Sequence, residues 1–411
     1  MRVEIINTGS ELMLGYVLNT HQQWLCAELA RAGFLVLRQT AIDDTPAAIS
    51  GAVEEAFNRA DLVITTGGLG PTSDDLTREV IARLLGRSLR EDPGVLEHIH
   101  AFFAKRNKSA PKSTHIQAQI PEGAEIFMNA HGTAPGLAMS HQGKLLVMLP
   151  GPPRELRPMF TTQVLPYLER VMPERSPFCC RVLKTSGMGE SSVEETIAPH
   201  LRDLTERGLE IGYCARVGEV DVRLLCRSMD AMQVVVEAEG RVKQHLSRYL
   251  FSTEGEPLEQ VIVQILTEQG RTVAFAESCT GGFLAHRITN IPGASHIFSA
   301  GVVTYSNPSK TELLGVPSSL LEQHGAVSAE TARSMAEGAR HRFKTHFAVA
   351  VTGIAGPGGG SAEKPVGTVH IAVASRQKTV AVKSFNPFDR ETFKYVTSQQ
   401  AFTLLRKIIL E

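Results

Sequence analysis

Ala276–Glu277–Ser278–Cys279–Thr280–Gly281–Gly282 separates two kinds of periodicity. Before it, Val273 to Ala276 is a short apolar run that reads as a buried strand. After it, Phe283, Leu284, Arg287 and Ile288 fall at helical spacing. Strand, tight glycine-containing turn, helix: this order puts Ser278 at or near a helix N-terminus. Free backbone N–H groups gather there and the helix dipole favours negative charge. A serine nucleophile needs that setting, because its attack creates an oxyanion. The same residues admit a plainer reading, in which Ser278 caps the helix and the glycines only close the turn.

Two further strand ends lie downstream. Ser299 to Tyr305 reads as a strand that runs into Ser306–Asn307–Pro308–Ser309–Lys310. Phe347 to Thr352 reads as another, ending at Gly353–Ile354–Ala355–Gly356–Pro357–Gly358–Gly359–Gly360. Three strand ends thus carry a serine, a Tyr/Lys pair and a threonine before a glycine-rich loop. In open α/β sheets the carboxyl ends of strands form the ligand crevice. A serine served by a lysine base is a recognised nucleophile pairing, and no His is spaced with an Asp to offer the alternative. A helix is expected from Glu312, and Ser328 is placed to cap another whose Ala332, Met335, Ala336 and Ala339 make a small, close-packing face. Val366 to Ala374 and Thr379 to Phe385 read as a hairpin, and a final helix carries Phe393, Val396, Ala401, Leu404 and Leu405.

The motifs AESCTGG, YSNPSK, VTGIAGPGGG and KPVGTV, starting at Ala276, Tyr305, Val351 and Lys364, resemble the C-terminal domain of the CinA (competence/damage-inducible) family. That domain is similar to nicotinamide mononucleotide deamidase. The resemblance implies that Ser278 is the nucleophile, with Tyr305, Lys310 and Thr352 around it, and that a late basic residue, matched by Arg390, belongs to the site. In that chemistry Lys310 is kept neutral by burial and takes the serine proton. Tyr305 relays the proton or holds the lysine, and N–H groups near Thr280, Gly281 and Gly282 receive the oxyanion. Thr352 and the loop through Gly353 and Gly356 hold the ribose phosphate, with Arg390 as countercharge. No cofactor is needed for this step.

At 411 residues the chain exceeds one ordinary core. Apolar residues at 43% and charged residues at 21% are the balance of a soluble globular protein. A net charge of −1 argues against direct nucleic-acid binding and against attraction to acidic membrane. The six Cys, at 26, 179, 180, 214, 226 and 279, are no disulfide framework and hold no C-x-x-C pair. Together with an N-terminus that enters a strand directly and no apolar span of membrane length, this makes a reducing cytoplasm the expected location. No H-x-x-x-H pair points to zinc. Cys279 reads as a small buried hydrophobe beside the serine, with a catalytic thiol as the alternative, and Trp24 reads as core.

At the N-terminus, Val3 to Asn7, Phe34 to Thr40 and Leu62 to Thr66 read as strands alternating with helices. This argues a parallel, doubly wound sheet. The third strand ends in Gly67–Gly68–Leu69–Gly70–Pro71–Thr72–Ser73–Asp74–Asp75. A loop containing Gly67, Gly68 and Gly70 has the freedom to wrap a phosphate. Bare carboxylates beside it repel that phosphate unless a divalent cation reverses the sign; alternatively, the acidic residues merely complement a helix dipole. GSE at Gly9, GGLGPTSDDLT from Gly67, HGTAPG from His131 and LPGPPRE from Leu149 resemble the N-terminal domain of CinA proteins, which is similar in fold to the MoaB/MogA molybdopterin-binding group. The resemblance implies a metal-dependent ADP-ribose pyrophosphatase using Mg, Mn or Co, with Asp44, Asp74, Asp75 and Glu79 as its metal ligands. Asp43 stands where the family usually has Gly.

From about Glu174 to Phe251 the pattern becomes strand, helix, hairpin, helix, a small α+β module that is ferredoxin-like or KH-like. A KH domain clamps nucleotide backbone with Gly-x-x-Gly; Gly187–Met188–Gly189 is shorter, so a structural linking module is favoured over an RNA binder. Ser252 to Pro257 reads as a linker. The expected organisation is α/β, two doubly wound α/β domains joined by the α+β module: residues 1–170 (MoaB/MogA-like), 171–252 (linking) and 257–411 (amidase). The expected activity is hydrolysis of nicotinamide mononucleotide to nicotinate mononucleotide and ammonia. The alternatives are the N-terminal pyrophosphatase, which can coexist with it, and a non-enzymatic scaffold in DNA uptake or repair. Small nucleotides are the expected partners, and the resemblance implies a homodimer.

Overall fold

The boundary expected near Glu174 lies outside the described residues, which are 1–173 and 178–411 of the computed structural model. By internal packing the chain divides into two compact units. One comprises Met1–Cys180 with Cys226–Met232, the other Arg181–Leu225 with Gln233–Glu411.

The first unit holds a six-stranded sheet in the order Leu35–Ile42, Arg2–Thr8, Leu62–Thr66, Lys144–Leu149, Gly136–His141, Glu125–Phe127. The first four are mutually parallel. Gly136–His141 and Glu125–Phe127 join antiparallel, so the sheet is mixed rather than wholly parallel. Adjacent residues of one strand face opposite cores. Ile6 and Val63 pack with Ile49, Val53 and Ile81 on one side, and Ile5 and Ile64 with Leu25, Leu29 and Phe160 on the other. Strands buried on both faces explain the continuous apolar runs in the sequence. Trp24 sits edge-on to Phe160 in the second of these layers, at 5.7 Å between centroids.

In the second unit a five-stranded sheet runs Phe298–Val303, Val273–Glu277, Phe347–Gly353, Thr368–Ala374, Thr379–Phe385. The first three are parallel and the last two form the expected antiparallel hairpin. Val273, Phe275, Val349 and Val351 pack against the helix Arg390–Leu410 through Phe402 and Leu405. On the opposite face Ala274, Ala276, Ala348 and Ala350 meet Ala332, Met335, Ala336 and Ala339 of the helix Ala329–Phe343. Small side chains on both partners let that helix approach the sheet closely, and its N-terminus is capped as expected, Thr331 N–H donating to Ser328 Oγ at 3.1 Å.

The middle module follows the order strand Cys179–Ser186, helix Glu190–Glu206, strands Leu209–Arg216 and Glu219–Cys226, helix Ala231–Leu246, strand Leu250–Ser252. The sheet order sets Glu219–Cys226 between Leu209–Arg216 and Cys179–Ser186, with Leu250–Ser252 outermost. This is the split β-α-β arrangement of ferredoxin-like folds. No helix among the described residues is long and apolar enough to cross a membrane.

Candidate active site

Ser278, Thr304 and Thr352 stand at the carboxyl ends of the three adjacent parallel strands of the five-stranded sheet, or directly after them. The strand expected to reach Tyr305 ends at Val303, and after three connecting residues a helix starts at Asn307. Ser306 caps the segment Asn307–Leu314, accepting from Ser309 N–H, and Pro308 occupies the first turn. Lys310 therefore projects from a helix rather than a loop. Its side chain is 1% exposed. Nζ donates to Thr304 O at 2.8 Å and to Ser278 Oγ at 3.3 Å, and these two oxygens are its only acceptors among the described residues. Burial pushes the ammonium below the ordinary lysine value, partly offset by Cys279. A buried serine hydroxyl is thus held beside a buried amine that gives up its proton more readily than a free lysine.

Ser278 is not a helix cap. The helix Phe283–Thr289 begins later, behind Gly282, and no side chain of its N-cap residue bonds to it. Its first amides are instead satisfied by Glu277, whose buried carboxylate accepts from Gly282 N–H (3.0 Å), Leu284 N–H (3.1 Å) and Ala285 N–H (3.0 Å). The expectation that Thr280, Gly281 and Gly282 share the oxyanion is corrected accordingly. Gly282 N–H is bonded to Glu277, and Gly281 N–H donates to Ser278 O at 3.1 Å, so Thr280 N–H is the one of the three not engaged within the turn. Glu277 was not singled out from sequence; its signal was an acidic residue close to a helix start. Glu277→Ala should remove about 3 kcal/mol or more of stability, since three buried N–H groups lose a charged acceptor. Glu277→Gln should lose less than half of that. Urea melts of the two variants check this, and equal losses would mean the carboxylate charge plays no part.

Other expected site residues sit differently. Tyr305 is 61% exposed; its hydroxyl accepts from Arg390 Nη2 at 2.7 Å rather than contacting Lys310. Arg390 also donates to Gly356 O at 2.9 Å, tying the glycine loop to the start of the last helix. Thr352 is buried and donates to Ala326 O at 2.7 Å, so its hydroxyl proton is engaged inside the fold. Gly353 packs against the Thr368 carbonyl, where a Cβ would lie 2.8 Å from that oxygen. The Cys279 thiol is buried and pushed up to about 12, mainly by desolvation, which keeps it protonated at neutral pH and unsuited to nucleophilic attack.

In the first unit, Gly67, Gly68, Gly70, Asp44, Asp74 and Asp75 line one cavity of about 550 Å³ at the carboxyl ends of the parallel strands. Gly67 and Gly68 have positive φ (97° and 66°), and a Cβ on either would collide with Thr8 or Thr77, so the turn itself demands glycine. The four carboxylates do not form a cation cage. No group of three or more His, Cys, Asp or Glu among the described residues is arranged to hold a metal ion. The physical reason lies in local hydrogen bonds. Asp75 accepts from Thr72 N–H at 2.9 Å, and Asp44 accepts from Ser10 N–H at 2.8 Å. Glu79 faces Arg78 at 3.8 Å and does not line the cavity. The Thr72 hydroxyl and the backbone N–H of Asp74 itself hold its exposed carboxyl below the usual range. Sequence reading missed Gln117 in this cavity. It is 1% exposed, and its Oε1 has no hydrogen-bond partner among the described residues.

Comparison with known proteins places these features in families. Residues 255–409 match the family described as "CinA C-terminal domain", residues 4–170 the "Probable molybdopterin binding domain", and residues 180–252 the "Damage-inducible protein CinA KH domain". A CinA-like protein of Akkermansia muciniphila is 45% identical, covering 98% of this chain and 96% of that one. A competence-damage inducible protein of Caldicellulosiruptor bescii is 41% identical over the full length of both. A solved structure of the competence/damage inducible protein CihA from Agrobacterium tumefaciens is 43% identical, covering 38% of this chain and 94% of that one, with a TM-score of 0.37.

Proposed function

The chain belongs to the CinA family, and we propose that its C-terminal domain hydrolyses the carboxamide of nicotinamide mononucleotide, releasing ammonia and nicotinate mononucleotide. The observation that carries this reading is Lys310 Nζ, buried against Ser278 Oγ with no carboxylate ion-paired to it among the described residues. In the first step neutral Lys310 takes the Ser278 proton as Oγ bonds to the amide carbon, while Nζ keeps its bond to Thr304 O. The 3.3 Å separation closes when substrate binds, as unliganded catalytic contacts commonly do. The amide oxygen becomes an oxyanion next to the free Thr280 N–H. Collapse breaks the C–N bond, and Lys310 returns its proton to the leaving nitrogen, giving ammonia and an ester on Ser278. Water then attacks that ester with Lys310 again as base, and breaking the C–Oγ bond restores the hydroxyl and releases the carboxylate. The side chains supply every proton transfer, so the step calls for no metal.

Ammonia release from nicotinamide mononucleotide by the full chain, measured across pH with and without EDTA, tests this. The base acts when neutral. Activity is therefore present above the folded-state pKa of Lys310 and lost as pH falls through it. Because burial lowers that pKa, the rising limb should lie below the ordinary lysine value of 10.5. EDTA should leave the rate unchanged. No ammonia from folded protein would overturn the amidase and leave the scaffold reading; loss with EDTA would overturn the proposed proton transfers.

A second reading concerns the first unit. The cavity with the unpartnered Gln117 Oε1 suits a small molecule that offers hydrogen-bond donors, such as the ribose hydroxyls of ADP-ribose, the substrate of the family's pyrophosphatase. The donor set does not fit a preformed divalent-metal site, so no hydrolytic step is derived there.

A further inference from the structure

Arg390 faces two ways. Its guanidinium bonds to Tyr305 and to the Gly356 carbonyl, and its side chain also lines a cavity of about 660 Å³. The other walls come from Phe283 and Tyr395, whose ring centroids are 6.4 Å apart, from Lys394, and from Val217 at the hairpin tip of the middle module. Lys394 Nζ lies 5.6 Å from the Phe283 ring centroid. Two cations thus share the space with two aromatic rings, against one lining carboxylate, Glu391.

Arg390 links this cavity to the Ser278–Lys310 pair, because the Tyr305 hydroxyl that it bonds belongs to the residue next to Thr304. Phe283 opens the helix that follows the nucleophile turn. Tyr305 follows Thr304, whose carbonyl holds Lys310. The hairpin tip is anchored beside the last helix. Gln399 donates to the Glu219 carboxylate, Arg287 donates to Gln399 Oε1 at 2.8 Å, and Gly218 is so close that an added Cβ would lie 3.0 Å from Gln399 Cγ. Nothing comparable tethers Val217 among the described residues, and it is 42% exposed.

Resting on the amidase reading, we propose that this cavity receives the phosphate-bearing end of the amide substrate, with Lys394 joining Arg390 as countercharge and Val217 forming the opposite wall. The middle module is then a part of the amidase site that selects phosphorylated over unphosphorylated nicotinamide nucleosides. A phosphate offers several acceptor oxygens and about two negative charges, which suits paired cations. The mixed apolar and aromatic wall suits the sugar and ring edges of such a ligand.

Val217→Glu and Val217→Lys, made in the full chain, test this. The new side chains are close in length and opposite in charge, on an exposed turn that tolerates both. Binding of nicotinamide mononucleotide and of its phosphate-free nucleoside is measured by titration calorimetry, alongside ammonia release. Val217→Glu should weaken nucleotide binding about tenfold, and Val217→Lys should tighten it several-fold. The nucleoside should change less than twofold in either. Shifts in the same direction for both variants, no shift, or a nucleoside that tracks the nucleotide would overturn the proposal. Charge-dependent nucleotide binding without ammonia release would keep the cavity assignment and sink the amidase.

Discussion

Ser278→Ala should reduce ammonia release from nicotinamide mononucleotide by about 10⁴-fold or more, the scale of removing a nucleophile from a catalytic unit. It should leave the stability of the protein within about 1 kcal/mol. The two halves of this expectation belong together. Taken by its own stretch of sequence, Ser278 reads more readily as an N-cap, whose loss costs about 1 kcal/mol of stability and no chemistry. The structure moves the cap elsewhere: Gly282 precedes the helix, and Glu277 satisfies its amides. What Ser278→Ala removes is a 3.3 Å contact with Lys310 and the attacking oxygen. Turnover and thermal melting should be read on the same preparation. Ser278→Cys adds a positive signal, since a thiol can attack and hold an acyl adduct visible by mass spectrometry. A Ser278→Ala protein that keeps turnover within a few-fold would end the nucleophile assignment.

The parallel strands were legible because burial on both faces leaves little but Val, Ile, Ala and Phe in them. Val273–Glu277 and Phe347–Gly353 fall within a residue of where the sequence put them. Ends were less legible. The strand read through Tyr305 stops at Val303, and the helix expected from Glu312 begins earlier, at Asn307. Serine followed by proline in the first turn is in fact a start signal. The antiparallel pair Gly136–His141 and Lys144–Leu149 also went unread, although Gln142–Gly143, with φ of 48° and 76°, is a two-residue hairpin turn of the type that favours glycine.

The site divides in the same way. Ser278 and Lys310 could be proposed together because each lies at a strand end or just beyond it, and strand ends converge. The Arg390–Tyr305 contact spans 85 residues and follows no local rule. Thr352 stands at a strand end as its sequence indicates, but the partner of its hydroxyl, the Ala326 carbonyl, comes from a distant loop that no local pattern points to. The N-terminal carboxylates show the same limit. Spacing gathers Asp74 and Asp75 beside a glycine turn, but hydrogen bonds from Thr72 and Ser10 decide what Asp75 and Asp44 do.

Lys310→Met should affect activity and stability in opposite directions. Methionine keeps the length and most of the volume of the side chain and removes the amine. Turnover should fall nearly as far as in Ser278→Ala. The double variant should be little worse than either, because members of one catalytic unit do not add. Stability should hold or rise. An ammonium at 1% exposure carries a desolvation penalty, reflected in its lowered pKa, and only two neutral oxygens compensate it. Replacing a buried charge by a well-packed apolar group is often neutral or stabilising by about 1–4 kcal/mol. The gain should be largest at low pH, where the wild-type amine must be protonated in the fold, and should shrink as pH rises through the folded-state pKa. A lysine kept only for structure would give the reverse: a less stable Met variant with turnover reduced no more than its folded fraction. Urea melts at acidic and alkaline pH, set against turnover on the same samples, decide between the two.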